Sequence, residues 1–171
     1  MEEYTFIDCD GVIIDSEERM LNLKFERGYV DHHDEASYFE YFKKTETEFL
    51  KDWDYIIREA KSINNSVEII RELEIIGYKL AILTKIHTIY EMEVKIDDLR
   101  NNRKLKSPIL FVPPKTNKHE IIIPNSQLLI DDSRRNVENW IKAGGSGYIF
   151  DKNLKEDSLS RVRSLEFLRR R

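Results

Sequence analysis

The chain has a single cysteine, Cys9, in 171 residues. No intrachain disulfide can form, which fits a reducing compartment. No apolar run approaches the roughly 20 residues that a membrane-spanning helix requires. The opening Met1-Glu2-Glu3-Tyr4 lacks the basic and apolar segments of a signal or transit peptide. We therefore expect a soluble, cytoplasmic protein with no membrane partner. There is no global basic field either: the formal net charge is -4, which weighs against nucleic acid as a partner. Internal repeats and low-complexity segments are absent. What remains is an ordinary globular composition with a very polar surface, 40% apolar and 35% charged. The length suffices for one domain with a real core and a small insertion.

The stretch that organises the chain is Thr5-Phe6-Ile7-Asp8-Cys9-Asp10-Gly11. A short apolar run ends in two acids one residue apart, which share a face if the strand continues that far. Gly11 marks a turn. The pair therefore sits at the carboxyl end of a buried strand, where open α/β sheets build their sites. Two close carboxylates repel, and burial worsens the conflict. A hard cation that prefers oxygen ligands, such as Mg²⁺, would resolve it. Cys9 between them would point away, and a buried free cysteine is usually inert.

Residues 4–8 read as the first buried strand, and 12–17 as a short extended or hairpin segment leading away. From 17 to 62 apolar residues recur at helical spacing, with a break at Gly28 and Asp31-His32-His33-Asp34. This reads as an insertion of two or three helices, and it holds nine of the 18 aromatic residues. Ser66 is expected to cap a helix over 67–76, which Gly77 ends. Further strands are expected at 79–84, 108–112, 127–131 and 147–150. Between them lie a charged helix over 88–103, with an alternating-sign solvated surface, and a helix over 136–143. The segment 115–120 reads as a polar loop or the start of a short helix. A final amphipathic helix is expected over 155–169, carrying Leu159, Val162, Leu165 and Leu168. The arginines at 161, 163, 169, 170 and 171 read as a solvated helix end. The alternation of strand and helix predicts a Rossmann-like α/β fold. Its parallel sheet has about five strands, with helices on both faces. The core spans 1–16 and 63–171, and the helical insertion 17–62.

Three strands end in chemistry: Asp8 and Asp10, Thr84, and Asp131 with Asp132. A parallel sheet brings all its carboxyl ends to one edge. A loop lysine, Lys115 or Lys118, lies between the last two strands. Four carboxylates, a hydroxyl and an ammonium suit phosphoryl transfer, in which a carboxylate can be the nucleophile. Lys85 adds a positive charge beside Thr84, free to bind phosphate or to pair with an acid. His87 and His119 are nearby and read as surface.

In order, Ile7-Asp8-Cys9-Asp10-Gly11-Val12, Leu83-Thr84, Lys118 and Leu129-Ile130-Asp131-Asp132 resemble the four motifs of the haloacid dehalogenase-like (HAD) hydrolases. The insertion after the first motif resembles the helical cap of many members. The resemblance implies that Asp8 is the nucleophile, forming an aspartyl-phosphate, and Asp10 the general acid and base. It assigns Mg²⁺ to Asp8, the Asp10 carbonyl and Asp131, supported by Asp132. Thr84 and Lys118 would hold phosphate. Lys118 is preferred to Lys115 because Lys-x-Glu before the Ile-Asp-Asp run matches the family pattern. An acid at position 10 implies a phosphatase rather than a dehalogenase. The run Leu128 to Trp140, followed by Ala143-Gly144-Gly145-Ser146-Gly147, is similar to the 5′(3′)-deoxyribonucleotidases and their bacterial and phage relatives. That implies a nucleoside monophosphate as substrate, with Phe25, Phe42 or Trp53 of the cap available to stack on the base. The alternatives are a phosphatase of a sugar phosphate, of another small metabolite or of nucleic-acid ends. A binding module without turnover is a further alternative.

Overall fold

The computed structural model describes residues 4–27, 52–156 and 160–170. The histidine pair His32-His33, Phe42, Leu159 and the cap helices expected within 28–51 lie outside the described residues. Along the described chain β1 is Thr5–Ile7, α1 Ser16–Glu26, α2 Trp53–Glu59, α3 Ser66–Ile75, β2 Leu80–Lys85 and α4 Ile89–Asp97. A π-helical turn, Asp98–Asn102, extends α4. Then come β3 Ile109–Val112, α5 Lys118–Ile121, β4 Leu128–Asp131, α6 Arg134–Lys142, β5 Ser146–Phe150 and β6 Arg161–Val162, with a 3-10 helix over Leu165–Arg170.

The six strands form one sheet in the order β3-β2-β1-β4-β5-β6, and every neighbouring pair is parallel. β1 lies in the middle, with Ile7 in register with Ile82 of β2 on one side and Ile130 of β4 on the other. The chain winds outward through β2 and β3, then crosses to β4. The order reverses between β1 and β4, which is where such sheets place their ligands. β1 is buried throughout, and so is β4. Helices pack on both faces. One core layer contains Ile7, Ile13, Ile14, Ile70, Leu73, Ile82 and Ile130. The other contains Phe6, Leu83, Leu129 and Trp140. Each fully buried aliphatic side chain contributes about 1.5–3 kcal/mol.

Between β1 and α1 the chain turns sharply. Ile13 N and Ile14 N both donate to the Cys9 carbonyl, and Gly11 N donates to Ile14 O. Ile14 then pairs antiparallel with Ser62. Asp15 N donates to Lys61 O, and Ile63 N to Ile13 O. The segment leading into residues 17–62 thus runs beside the one leading out. α2 packs against both α1 and α4.

Three expectations are corrected. Residue 66 begins α3, Asn65 holds the N-cap position, and the Ser66 hydroxyl donates to the Val12 carbonyl at 2.9 Å. The buried serine ties the helix to the β1 turn instead of capping it. Among the described residues the expected final amphipathic helix is absent. Val162 pairs with Phe150 in β6, a sixth strand, and Leu165 and Leu168 are buried on a 3-10 helix. Spacing of three suits a 3-10 helix, whose i and i+3 side chains eclipse. The arginines there make surface contacts: Arg169 pairs with Glu72 and Glu166, and Arg163 donates to Lys155 O. Finally, the charged helix is not solvated all round. Glu91, Lys95 and Asp98 are buried, while Ile89 and Ile96 are exposed. Among the described residues no helix is long and apolar enough to cross a membrane.

Candidate active site

The carboxyl ends of β1, β2 and β4 meet at one edge of the sheet. Asp8 follows β1, and its amide donates to the Ile130 carbonyl of β4, so the backbone fixes where its side chain emerges. Its Oδ1 accepts from the Cys9 amide at 2.8 Å. Its Oδ2 lies 2.9 Å from Lys118 Nζ. The same ammonium donates to Asp131 Oδ2 at 2.6 Å. Lys118 opens α5, whose N-cap Asn117 forms a capping box with Glu120. Burial works against the Lys118 charge, but Asp8 and Asp131 outweigh it and raise its pKa. Lys115 is exposed, so Lys118 is the lysine that reaches the acids.

Asp131 is fully buried at the end of β4. Its Oδ1 accepts from Ser133 N at 2.9 Å, and the Asn136 amide donates to both of its oxygens, at 3.0 and 3.1 Å. Asn136 is on α6, which Ser133 caps. Asp132 is exposed as a residue, yet it lines the cleft and stands over Gly11. A Cβ at residue 11 would fall 2.1 Å from Asp132 Oδ2, and φ there is +73°. Glycine is therefore required on two counts. Loss of surrounding water, then the charge of Asp131, push the Asp132 carboxyl up to about 7. Burial, followed by the neighbouring acids, also raises Asp8 despite the pull of Lys118.

Asp10 has different partners. Its Oδ1 accepts from the Ser16 hydroxyl at 2.7 Å. Its Oδ2 accepts from Lys95 Nζ at 2.6 Å, with Thr84 Oγ1 at 3.3 Å. Burial opposes its charge, but Lys95, Ser16 and Thr84 together hold the carboxyl below its ordinary value. The two acids of the first motif thus have opposite electrostatic settings. Cys9 between them is fully buried, and burial pushes its thiol up. That makes it an inert packing residue.

Carboxylate oxygens of Asp8, Asp131 and Asp132 lie within 4.8 Å of one another. The donors are all oxygen, and the raised Asp8 and Asp132 mark crowded acids that Lys118 alone does not hold in the charged form, as a cation would. This set fits a hard divalent cation such as Mg²⁺. Above it a cleft of about 310 Å³ is lined by Asp8, Asp10, Ser16, Lys85, His87 and Asp132, with Met20, Trp53 and Ile56 as its apolar wall. The His87 ring stacks on Trp53, centroids 5.8 Å apart. Lys85 thus borders the cleft. Among the described residues, Trp53 Nε1 is a buried donor without a hydrogen-bond partner. Phe25 is not among the residues that line this cleft.

Sequence reasoning missed Lys95, Glu91, Asn136 and the contact of Ser16 with Asp10. For the first two a signal existed: Glu91, Lys95 and Asp98 fall at i, i+4 and i+7, one stripe of a helix, while isoleucines occupy another.

No family model matches the sequence, and no curated protein matches it significantly. Solved structures do match. One is a Bacillus subtilis protein described as a HAD-hydrolase, YfnB, bound to magnesium. It has 15% identity, a TM-score of 0.69, and coverage of 98% of this chain and 97% of that one. A HAD hydrolase of family IA, variant 3, from Entamoeba histolytica gives 12% identity, a TM-score of 0.62, and coverage of 98% and 95%. D,D-heptose 1,7-bisphosphate phosphatase from Burkholderia thailandensis gives 15%, 0.54, and coverage of 98% and 99%. The fold is that of the HAD-superfamily hydrolases.

Proposed function

We propose that the protein is a Mg²⁺-dependent phosphomonoesterase acting through an aspartyl-phosphate on Asp8, with a nucleoside monophosphate as substrate. One observation carries the mechanism. Asp8, Asp10, Thr84, Lys118 and Asp131, far apart in sequence, come together at the carboxyl edge of the sheet, in contact through Lys118 on one side and Thr84 on the other. The fold shared with HAD hydrolases, among them a bisphosphate phosphatase, supports the reaction class.

In this reading Asp8 attacks phosphorus, and Asp10, protonated against the pull of Lys95, gives its proton to the leaving alcohol. Asp10 then takes a proton from the water that hydrolyses the intermediate. Lys118, Thr84 and Lys85 hold phosphate oxygens. Asp8, the Asp10 carbonyl and Asp131 would hold Mg²⁺, with Asp132 in support. When bound, the ion supplies positive charge that offsets both the acids and the phosphate. Met20 of α1 with Trp53 and Ile56 of α2, from the two described ends of the 17–62 insertion, wall the cleft and limit water there. The choice of a nucleoside monophosphate is supported by the resemblance over 128–147. The wall of Trp53, Met20 and Ile56 beside the acids adds to it, because an aromatic and apolar surface suits a base.

The test is phosphate release from a panel of nucleoside monophosphates and sugar phosphates with Mg²⁺, with Asp8→Asn in parallel. Base-dependent release that vanishes in Asp8→Asn is the expected result. Release indifferent to the base would remove the nucleotide assignment. Nucleotide binding without release would replace the enzyme by a binding module.

A further inference from the structure

Lys95 is the largest polar element of the site that the four motifs do not contain. It lies on α4 and is fully buried. Its Nζ donates to Asp10 Oδ2 at 2.6 Å and to the Lys85 carbonyl at 2.8 Å, and it stands 2.7 Å from Glu91 Oε1 and 3.2 Å from Thr84 Oγ1. An ammonium has three protons, so this one is fully engaged. Withdrawing a lysine from water is costly unless it is paired and hydrogen-bonded. A methionine or leucine would fill the same space without that cost. The ammonium therefore has a local task.

Its partners show what the task is. Glu91 holds Lys95 from one turn earlier on the same helix, and Glu91 Oε2 accepts from the His87 amide at 2.6 Å. Thr88 caps the helix and accepts from Glu91 N at 3.0 Å. The lysine is thus braced by a capped helix start and by the end of β2. It contacts Asp10 through Oδ2 alone. The other oxygen, Oδ1, meets the Ser16 hydroxyl, and Asp10 and Ser16 both line the cleft.

We propose that Lys95 is a positioning residue for proton transfer. It pins Oδ2 of Asp10 and so assigns Oδ1 as the oxygen that exchanges the proton. The proposal rests on the phosphatase reading. In the first half-reaction an Asp8 oxygen bonds to phosphorus. The bond from phosphorus to the leaving oxygen breaks, and that oxygen keeps the electron pair and receives the proton from Oδ1. In the second, water attacks phosphorus, its proton goes to Oδ1, and the bond to the Asp8 oxygen breaks to give the free carboxylate and inorganic phosphate.

The experiment compares single-turnover phosphoryl transfer from two substrates. Transfer from p-nitrophenyl phosphate, whose leaving group departs without a proton, reports on Asp8 attack alone. Transfer from a nucleoside 5′-monophosphate, whose alkoxide must be protonated, reports on Asp10 as well. The variants are Lys95→Met and Lys95→Met with Glu91→Gln, the second removing the buried pair together so that no lone charge is left behind. General acid catalysis contributes about 10²–10⁴-fold. The nucleotide rate should fall by at least about 10²-fold and the p-nitrophenyl phosphate rate by far less, with KM for both nearly unchanged. Equal losses on both substrates, or none on either, would overturn the proposal. Failure of both variants to fold would assign the ammonium to stability and overturn it too. Wild-type protein that transfers phosphate from neither substrate would instead overturn the phosphatase reading.

Discussion

Lys118→Met tests the electrostatics of the site in isolation. The wild-type ammonium lies 2.6 Å from Asp131 and 2.9 Å from Asp8. Asp131 is fully buried and Asp8 nearly so. Methionine keeps most of the volume and removes the charge, leaving two carboxylates facing each other out of water. Breaking a buried pair by removing one partner costs about 3–5 kcal/mol. For a chain of this size each kcal/mol lowers Tm by about 2–4 °C. The expected loss is therefore about 6–20 °C without divalent ions. Added Mg²⁺ should return part of it by binding the folded state alone. The control is Lys115→Met. That lysine is exposed, and surface changes stay within about 0.5 kcal/mol. Thermal and urea melts of the three proteins in EDTA and in Mg²⁺ decide the matter. A Lys118→Met protein as stable as wild type in EDTA would refute the reasoning, as would an equal loss in Lys115→Met.

Gly11→Ala should lower both stability and phosphate release. The left-handed backbone alone costs about 1–2 kcal/mol, and the new methyl would displace Asp132; a variant with unchanged melts and activity would remove the argument for that turn. Gly145→Ala should destabilise through a clash with Trp140, since its Cβ would lie 2.3 Å from Nε1, and urea denaturation reads the loss. His87 gives a pH effect. Its hydrogen bond to Glu91, set against partial burial, raises its pKa above the ordinary value near 6.5. The folded state then holds the proton more tightly than the unfolded chain, so the contribution is complete below about pH 6.5 and fades as pH rises through the raised value. The stability difference between wild type and His87→Gln should shrink between mildly acidic and alkaline pH; a difference that grows would contradict the assignment.

The residues at the ends of β1, β2 and β4 were legible because a parallel sheet gathers its carboxyl ends whatever their separation in sequence. Asp8, Asp10, Thr84 and Asp131 needed no contact information, only strand ends. Trp140, in the run that resembles the nucleotidases, is fully buried with its Nε1 donating to Gln127 O. Lys95 was hidden because an (i, i+4) Glu-Lys pair is the usual mark of a solvated helix surface. Its inward direction is set by tertiary packing, with Val94 and Leu99 buried beside it. β6 was hidden because two paired residues carry no period, and Val162, Leu165 and Leu168 fit a helical stripe as well as they fit a strand followed by a 3-10 turn. Ser66 was misread because serine caps a helix and bonds to a neighbouring carbonyl with the same hydroxyl.

The most direct test of the central claim is acid-quenched mass spectrometry of the protein during turnover of a nucleoside monophosphate with Mg²⁺. One phosphate adduct is expected, mapped by proteolysis to Asp8 and missing in Asp8→Asn. Phosphate release with no adduct, and retained in Asp8→Asn, would contradict it.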